Sequence, residues 1–337
     1  MTPKVTADSP STTSPKVTAV ACLSGVSIER AVPTDEIEHY IQDPSNMVWM
    51  DVLNPGPDEL SMLMEVFGFH PLALEDVARG QQRPKIDEYK GYLFVVTYAA
   101  IPGGDCADLQ TAEVGMFIGR NYLVTVHHGR VPALEEAMLR WSRGGSMLAE
   151  GVGFVVYTVM DAIIDAYFPL VDGIEDEVDE IELTMFAQVD PNSVQRLLKL
   201  KRTLVALRRL LHPLRETFHV LLRPNHAYFS ANTLLYFQSV YDHVLRILDV
   251  LEIEREMVNS ALEAYLTVVS NRLNRTMKTL TAITVCVAIV GSVFGAWGMN
   301  FEDIPWSKSP WGFWYVLGGT IGLIAVALLI SLKRKWL

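Results

Sequence analysis

The sequence predicts an α+β membrane protein: a cytoplasmic α/β domain, a long helical stalk and two C-terminal transmembrane helices. Three observations predict it. Two runs carry no charge, TLTAITVCVAIVGSVFGAW from Thr279 to Trp297 and WGFWYVLGGTIGLIAVALLISL from Trp311 to Leu332. Phe229 to Val290 contains neither glycine nor proline, which is long for a globular helix. Residues 17–145 instead mix short β-rich runs with helical ones. Composition agrees, since 50% of the 337 residues are hydrophobic and the mean hydropathy is positive.

Residues 1–16 are rich in Ser, Thr and Pro and lack an apolar core, so they read as a disordered tail and not a signal peptide. In the α/β domain, residues 17–145, strands are expected at Val17–Leu23, Met47–Leu53, Tyr92–Ala100, Glu113–Ile118 and Tyr122–His127. Helices are expected at Pro57–Phe67 and Pro132–Trp141, each with proline in its first turn. A helical region follows over 146–278, with a helical period established from about Gly151. Within it, Val171–Glu182 holds seven acids and no base, while Ile174, Val178 and Ile181 keep one face apolar. Arg196–Arg215 holds seven bases and no acid. With Pro191 marking the turn, the two arms read as an antiparallel hairpin of complementary charge. His212, His219 and His226 recur every seven residues, but Pro213 and Pro224 are expected to break the helix, so no site is read there.

The two uncharged runs, 279–297 and 311–332, are each about the 20 residues needed to cross a bilayer. Trp297, Trp306, Trp311, Trp314 and Tyr315 mark their shared end, where aromatic rings meet the interface. Arg272, Arg275 and Lys278 precede the first span, and Lys333, Arg334 and Lys335 follow the second in the basic tail 333–337. Positive flanks face the cytoplasm, so both termini are expected there and the loop 298–310 outside.

Steps of three and four through the first span collect Asn274, Met277, Thr281, Thr284, Ala288, Gly291, Gly295 and Gly298. These residues are mostly small or mildly polar, while Ile283, Val287, Val290 and Phe294 fall elsewhere. Two readings stay open. Small residues let helices pack closely, and Gly291 with Gly295 is such a pattern, as is Gly318 with Gly322 in the second span. The same residues would also suit a pore wall, which requires a ring of subunits because one helix encloses nothing.

The seam ends at Gly298-Met299-Asn300. In a ring, several Asn300 amide oxygens would converge on one axis. Neutral acceptors of this kind hold a magnesium ion with its water shell intact, an ion that dehydrates reluctantly. Glu302 and Asp303 place negative charge beside them and would concentrate cations. The net charge of −11 likewise suits cations and argues against nucleic acid as a partner. Cys22, Cys106 and Cys286 lie far apart with no CxxC pair, so neither a zinc cluster nor a disulfide framework is expected. His127-His128 reads as a strand end. No nucleophile–base set or cofactor loop is visible, so an enzyme is not expected.

The chain resembles the CorA family of magnesium channels. The resemblance rests on Trp297-Gly298-Met299-Asn300-Phe301-Glu302 between two C-terminal spans. It extends to Leu74-Glu75-Asp76, Gln82-Arg83-Pro84-Lys85, Tyr241-Asp242-His243, Ser270-Asn271, Met277-Lys278 and Lys335-Trp336-Leu337, and covers nearly everything after about residue 45. It implies a homopentamer whose cytoplasmic domains form a funnel around the stalk helices. It implies a pore lined by Asn274, Met277, Leu280, Thr284, Ala288, Gly291 and Gly295, and a selectivity filter of Gly298, Met299 and Asn300. It also implies a regulatory metal site between subunits at Glu75, Asp76 and Asp161, which binds cytoplasmic Mg2+ and gates uptake.

Four departures from the family pattern stand out. Trp297 replaces the usual tyrosine, and Ile289 stands where a proline is usual. Ala288 replaces a bulky gate residue, which leaves the constriction to Met277 and Leu280. Ser239 stands where a neighbour's acid should complete the regulatory site, and Asp242, three residues on, is the substitute ligand on the same helix face. The ion remains open among Mg2+, Co2+, Ni2+ and Zn2+. A ZntB-like zinc transporter of the same architecture and a non-conducting membrane-anchored sensor are the alternatives.

Overall fold

The computed structural model describes residues 16–25, 27–101, 103, 108–143, 150–187, 191–223, 228–299 and 309–333. Residues 1–15 of the expected tail, Asn300, Glu302, Asp303 and residues 334–337 therefore lie outside the described residues. The chain divides into two compact units, one of residues 1–182 and 195–259 and one of residues 183–194 and 260–337.

The first unit opens on a seven-stranded sheet. Its strands are β1 (Val17–Leu23), β2 (Ser27–Arg30), β3 (Met47–Leu53), β4 (Lys85–Tyr89), β5 (Tyr92–Ala100), β6 (Thr111–Ile118) and β7 (Tyr122–His127). They lie in the order β2-β1-β3-β7-β6-β5-β4. Only β3 and β7 pair parallel; the other five pairings are antiparallel. The five expected strands are present, β6 starting two residues earlier at Thr111. The edge strands β2 and β4 were not expected.

Side chains alternate across the sheet. On one face Ala19, Met50, Phe94, Phe117 and Val124 pack with Ile37 of α1 (Ile37–Gln42), Leu63 of α2 (Pro57–Phe67) and Val77 of α3 (Pro71–Arg79). On the other face Trp49 meets Trp141 of α4 (Pro132–Ser142) edge-on at 6.0 Å. Local chemistry sets the helix starts. Glu59 accepts the Gly56 N–H at 2.7 Å ahead of Pro57. The His70 ring accepts the Leu72 N–H at 3.2 Å ahead of α3.

Helices α5 (Val152–Asp165), α6 (Phe168–Ala187), α7 (Pro191–Leu221) and α8 (Ala231–Trp297) follow. The stretch Val152–Met185 is long and apolar enough to cross a membrane, but 61% of its most apolar window is buried inside the protein, so it reads as interior. Helix α7 carries a leucine stripe, Leu197, Leu200, Leu204, Leu207, Leu211 and Leu214, buried along its length. That stripe explains why the helix continues through Pro213 where a break was expected. The complementary hairpin appears in part: Arg196 donates to Glu177 at 3.1 Å and to Glu180 at 3.0 Å. Other bases of α7 turn elsewhere, Arg208 to Glu252 at 2.6 Å and Lys199 to Asp108 at 2.9 Å.

Gly153 brings α5 close to α8: a Cβ there would sit 2.5 Å from Thr233 Cγ2. Gly153→Val is therefore expected to destabilise the protein by about 1–3 kcal/mol through overpacking. Thermal unfolding of the full chain in detergent checks this, and an unchanged midpoint would count against the close approach.

His127 ends β7, as expected, and both its ring nitrogens have acceptors. Nδ1 lies 2.7 Å from the Gly129 carbonyl and Nε2 lies 3.2 Å from Asp51. Only the imidazolium donates to both. Burial alone would lower its pKa, but the bond to Asp51, its charge and the Gly129 carbonyl outweigh burial and raise it above 6.5. The stability this adds is complete below the unfolded pKa and is lost as pH rises through the folded one. The thermal midpoint should fall as pH climbs from about 6.5, and His127→Gln should remove that component. An identical pH profile for the variant would refute the assignment.

The described part of the second unit holds the end of α6, the start of α7, the later portion of α8, and α9 (Gly312–Lys333).

Candidate ion pathway and metal-ligand cluster

Helix α8 shows three sectors along its apolar segment. Ala282 is buried, and Thr279, Cys286, Ile289, Val293 and Trp297 are half-buried. Asn274, Met277, Leu280, Thr284, Ala288, Gly291 and Gly295 are all exposed. At about 3.6 residues per turn this second set lies roughly opposite the first. A third sector, Ile283, Val287, Val290 and Phe294, is exposed, large and apolar, as a lipid-facing surface would be.

Among the described residues, the glycines of this sector meet no packing partner. A Cβ built on Gly291 or Gly295 meets nothing within 4 Å. The same holds at Gly318 and Gly322 of α9, so among the described residues neither glycine pair is explained by packing within one chain. Thr284 Oγ1 donates to the Leu280 carbonyl at 2.8 Å, and Thr281 Oγ1 to the Met277 carbonyl at 2.8 Å. Their protons are thus committed to the helix, and oxygen lone pairs remain as acceptors. Met277 and Leu280, 65% and 62% exposed, are the bulkiest members of this sector. At the end of α8 the Gly298 N–H donates to the Phe294 carbonyl at 2.9 Å, and Met299 is exposed.

In the first unit, one group of potential metal ligands converges among the described residues. Asp161, Asp165 and His243 each offer an atom, all within 4.8 Å of one another. Asp161 and Asp165 stand one turn apart on α5, and His243 comes from α8. Arg140 donates to Asp161 at 2.6 Å, and His243 Nδ1 lies 3.6 Å from Asp165. Burial and then the Asp161 charge push the Asp165 carboxyl above its usual range. A divalent cation would relieve both effects, so the donor set fits a metal ion.

The other expected ligands are engaged within the chain. Glu75 pairs with Arg79 at 2.6 Å. Asp76 accepts from Lys85 at 2.8 Å, and Lys85 also reaches Asp87 at 2.6 Å. Asp242 accepts from Gln238 at 3.0 Å, and Ser239 is exposed. Asp165 and His243 were missed from the sequence. The i, i+4 spacing from Asp161 would have found Asp165, and His243 adjoins Asp242 in the motif already quoted.

An α/β unit with two apolar C-terminal helices, one presenting a small, weakly polar face, defines a class of two-span membrane protein. The family model for the CorA-like Mg2+ transporter protein matches residues 44–334, and the chain belongs to that family. It is 32% identical over 300 residues to a putative metal ion transporter, YfjQ, of Bacillus subtilis, covering 89% of this chain and 93% of that one. It is 32% identical over 314 residues to the cobalt/magnesium transport protein CorA of Thermotoga maritima, covering 91% of this chain and 89% of that one. The complete structure of the CorA magnesium transporter from Methanocaldococcus jannaschii shares the fold, with a TM-score of 0.81 at 23% identity over 95% of this chain and 98% of that one.

Proposed function

We propose that this chain assembles as a homopentameric channel for divalent cations, carrying Mg2+ with Co2+ and Ni2+ as further ions, across the cytoplasmic membrane. The observation that carries the reading is the uncovered sector of α8. Small and weakly polar groups face away from the chain's own cover, and among the described residues the glycines there meet no packing partner. A ring of subunits turns that sector into a wall. Both termini then face the cytoplasm, and Gly298, Met299 and Asn300 form the filter at the outer mouth, with Glu302 and Asp303 drawing cations towards it. The names of the Thermotoga maritima and Methanocaldococcus jannaschii relatives support magnesium and cobalt. The ZntB cytoplasmic domain of Vibrio parahaemolyticus shares the fold at 11% identity and a TM-score of 0.57, which does not favour zinc.

Cytoplasmic Mg2+ closes the channel in this reading. Asp161, Asp165 and His243 hold the ion from one subunit, and Glu75, Asp76 and Asp242 are the carboxylates offered at the boundary between subunits. A bound ion offsets their mutual repulsion and stabilises the closed ring by mass action. Expression in cells lacking their own magnesium uptake tests the proposal. Restored growth at low external Mg2+ is expected, and no rescue by a protein inserted in the membrane would contradict it.

A further inference from the structure

A cleft of about 500 Å3 on α8 is lined by Arg272, Arg275, Thr276, Thr279, Leu280 and Ile283. In chain order these are two bases, two hydroxyls and two apolar side chains, graded into the uncharged run that begins at Thr279. Arg272, Thr276, Thr279 and Ile283 follow at steps of four, three and four, so they share one helical line. Similar steps carry that line on through Val287, Val290 and Phe294, the large apolar sector of α8. From Ile283 to Phe294 the helix rises about 17 Å, close to half of a bilayer's hydrocarbon core of about 30 Å.

Arg272 and Arg275 are exposed, and among the described residues neither has an acidic partner. Thr276 Oγ1 donates to the Arg272 carbonyl at 3.0 Å, and Thr279 Oγ1 to the Arg275 carbonyl at 3.0 Å. Those protons are committed to the helix, so the draw for an anion comes from the two guanidiniums. A guanidinium fork matches a phosphate with two parallel hydrogen bonds. A choline or ethanolamine headgroup would bring its own cation against the arginines, whereas a net-anionic phosphodiester brings none. A basic flank is ordinary for a membrane helix. Lys278 is such a base, exposed but outside the cleft. The arginines differ from it because the cleft they line opens onto a continuous apolar sector, the order in which a phospholipid presents its phosphate and its acyl chain.

We propose that Arg272 and Arg275 hold the phosphate of an anionic phospholipid, whose acyl chain lies along Ile283, Val287 and Val290. The site rests on the orientation proposed above only for the leaflet, which is then the cytoplasmic one.

Titration of the full-length protein, in a zwitterionic detergent, with phosphatidylglycerol or phosphatidylcholine tests the site, bound lipid being counted by native mass measurement. The wild type should hold phosphatidylglycerol in preference to phosphatidylcholine. Arg272→Gln and Arg275→Gln should each weaken phosphatidylglycerol binding about fivefold, and the double variant about twenty-fivefold. Phosphatidylcholine binding should be unchanged by any of them, and Lys278→Gln should bind both lipids as the wild type does. All of these side chains are exposed, so the variants are expected to fold. Equal binding of the two lipids by the wild type would overturn the proposal. So would a Lys278→Gln loss as large as that of either arginine variant, which would reduce the pair to a general basic flank. Ion uptake is read separately: a protein that conducts but binds lipid without regard to Arg272 and Arg275 refutes this site alone, and one that binds lipid but does not conduct refutes the channel alone.

Discussion

Asn300→Ala is expected to abolish divalent-cation flux while leaving the oligomer assembled. Asn300 follows Gly298 and Met299 in the sequence, just past the described end of α8. In the proposed channel its amide would supply a neutral oxygen at the outer mouth, accepting from the water shell of an incoming ion. A hydrogen bond to a charged partner contributes about 1.5–3 kcal/mol. Removing one such contact lowers occupancy about tenfold, and a ring of subunits loses several at once. Flux should therefore drop by about a hundredfold or more. Assembly should survive because Asn300 lies outside both described spans, α8 and α9. Native mass measurement and ion uptake, taken on the same preparation, separate the two effects. Normal uptake by an assembled variant would remove Asn300 from the filter.

Leu280→Asn is expected to raise flux when internal Mg2+ is high and the wild-type channel is closed. Met277 and Leu280 are the large apolar groups of an otherwise small and weakly polar sector, and both project away from the chain's own cover. In a ring they would converge into a dry constriction, which blocks ions by excluding water. An amide at position 280 keeps the constriction wet. In that ring Ala288 would project only a methyl group toward the axis, a smaller apolar barrier than Met277 or Leu280. The leak should reach at least about tenfold over the closed wild type, as expected when a barrier falls by about 1.4 kcal/mol. Closed-state flux equal to wild type would place the gate elsewhere, with Asn274 the next candidate.

Much of this was legible in the sequence because the strongest signals are periodic. The two spans are uncharged over their length, and the α8 seam keeps its register, so the structure finds those residues on one exposed sector. The interior strands β3, β5 and β7 are nearly continuous apolar runs. Strands β2 and β4 escaped because they are the edges of the sheet. SIER and KIDEY carry charges that keep an edge from pairing with another chain, and such segments do not read as strands. Pro213 misled for a different reason, since proline is a local signal and the buried leucine stripe of α7 is a tertiary one.

The candidate metal cluster was legible only in part. Asp161 came from the family resemblance, but its partners within the chain, Asp165 and His243, depend on how α5 packs against α8. Gly153 permits that packing, and no spacing rule reports it.

The central claim is that the exposed sector of α8 forms a pore wall, and thiol accessibility tests it most directly. Cys22, Cys106 and Cys286 are first replaced by serine, and a single cysteine is then placed at Thr284, or at Ala282 on the covered side. Each protein is reconstituted in liposomes, and Mg2+ flux is followed while a charged, water-soluble thiol reagent is added. The account predicts that the reagent blocks flux through Thr284→Cys and leaves Ala282→Cys unaffected. Unimpeded flux through a labelled Thr284→Cys channel, or equal block at Ala282→Cys, would contradict it.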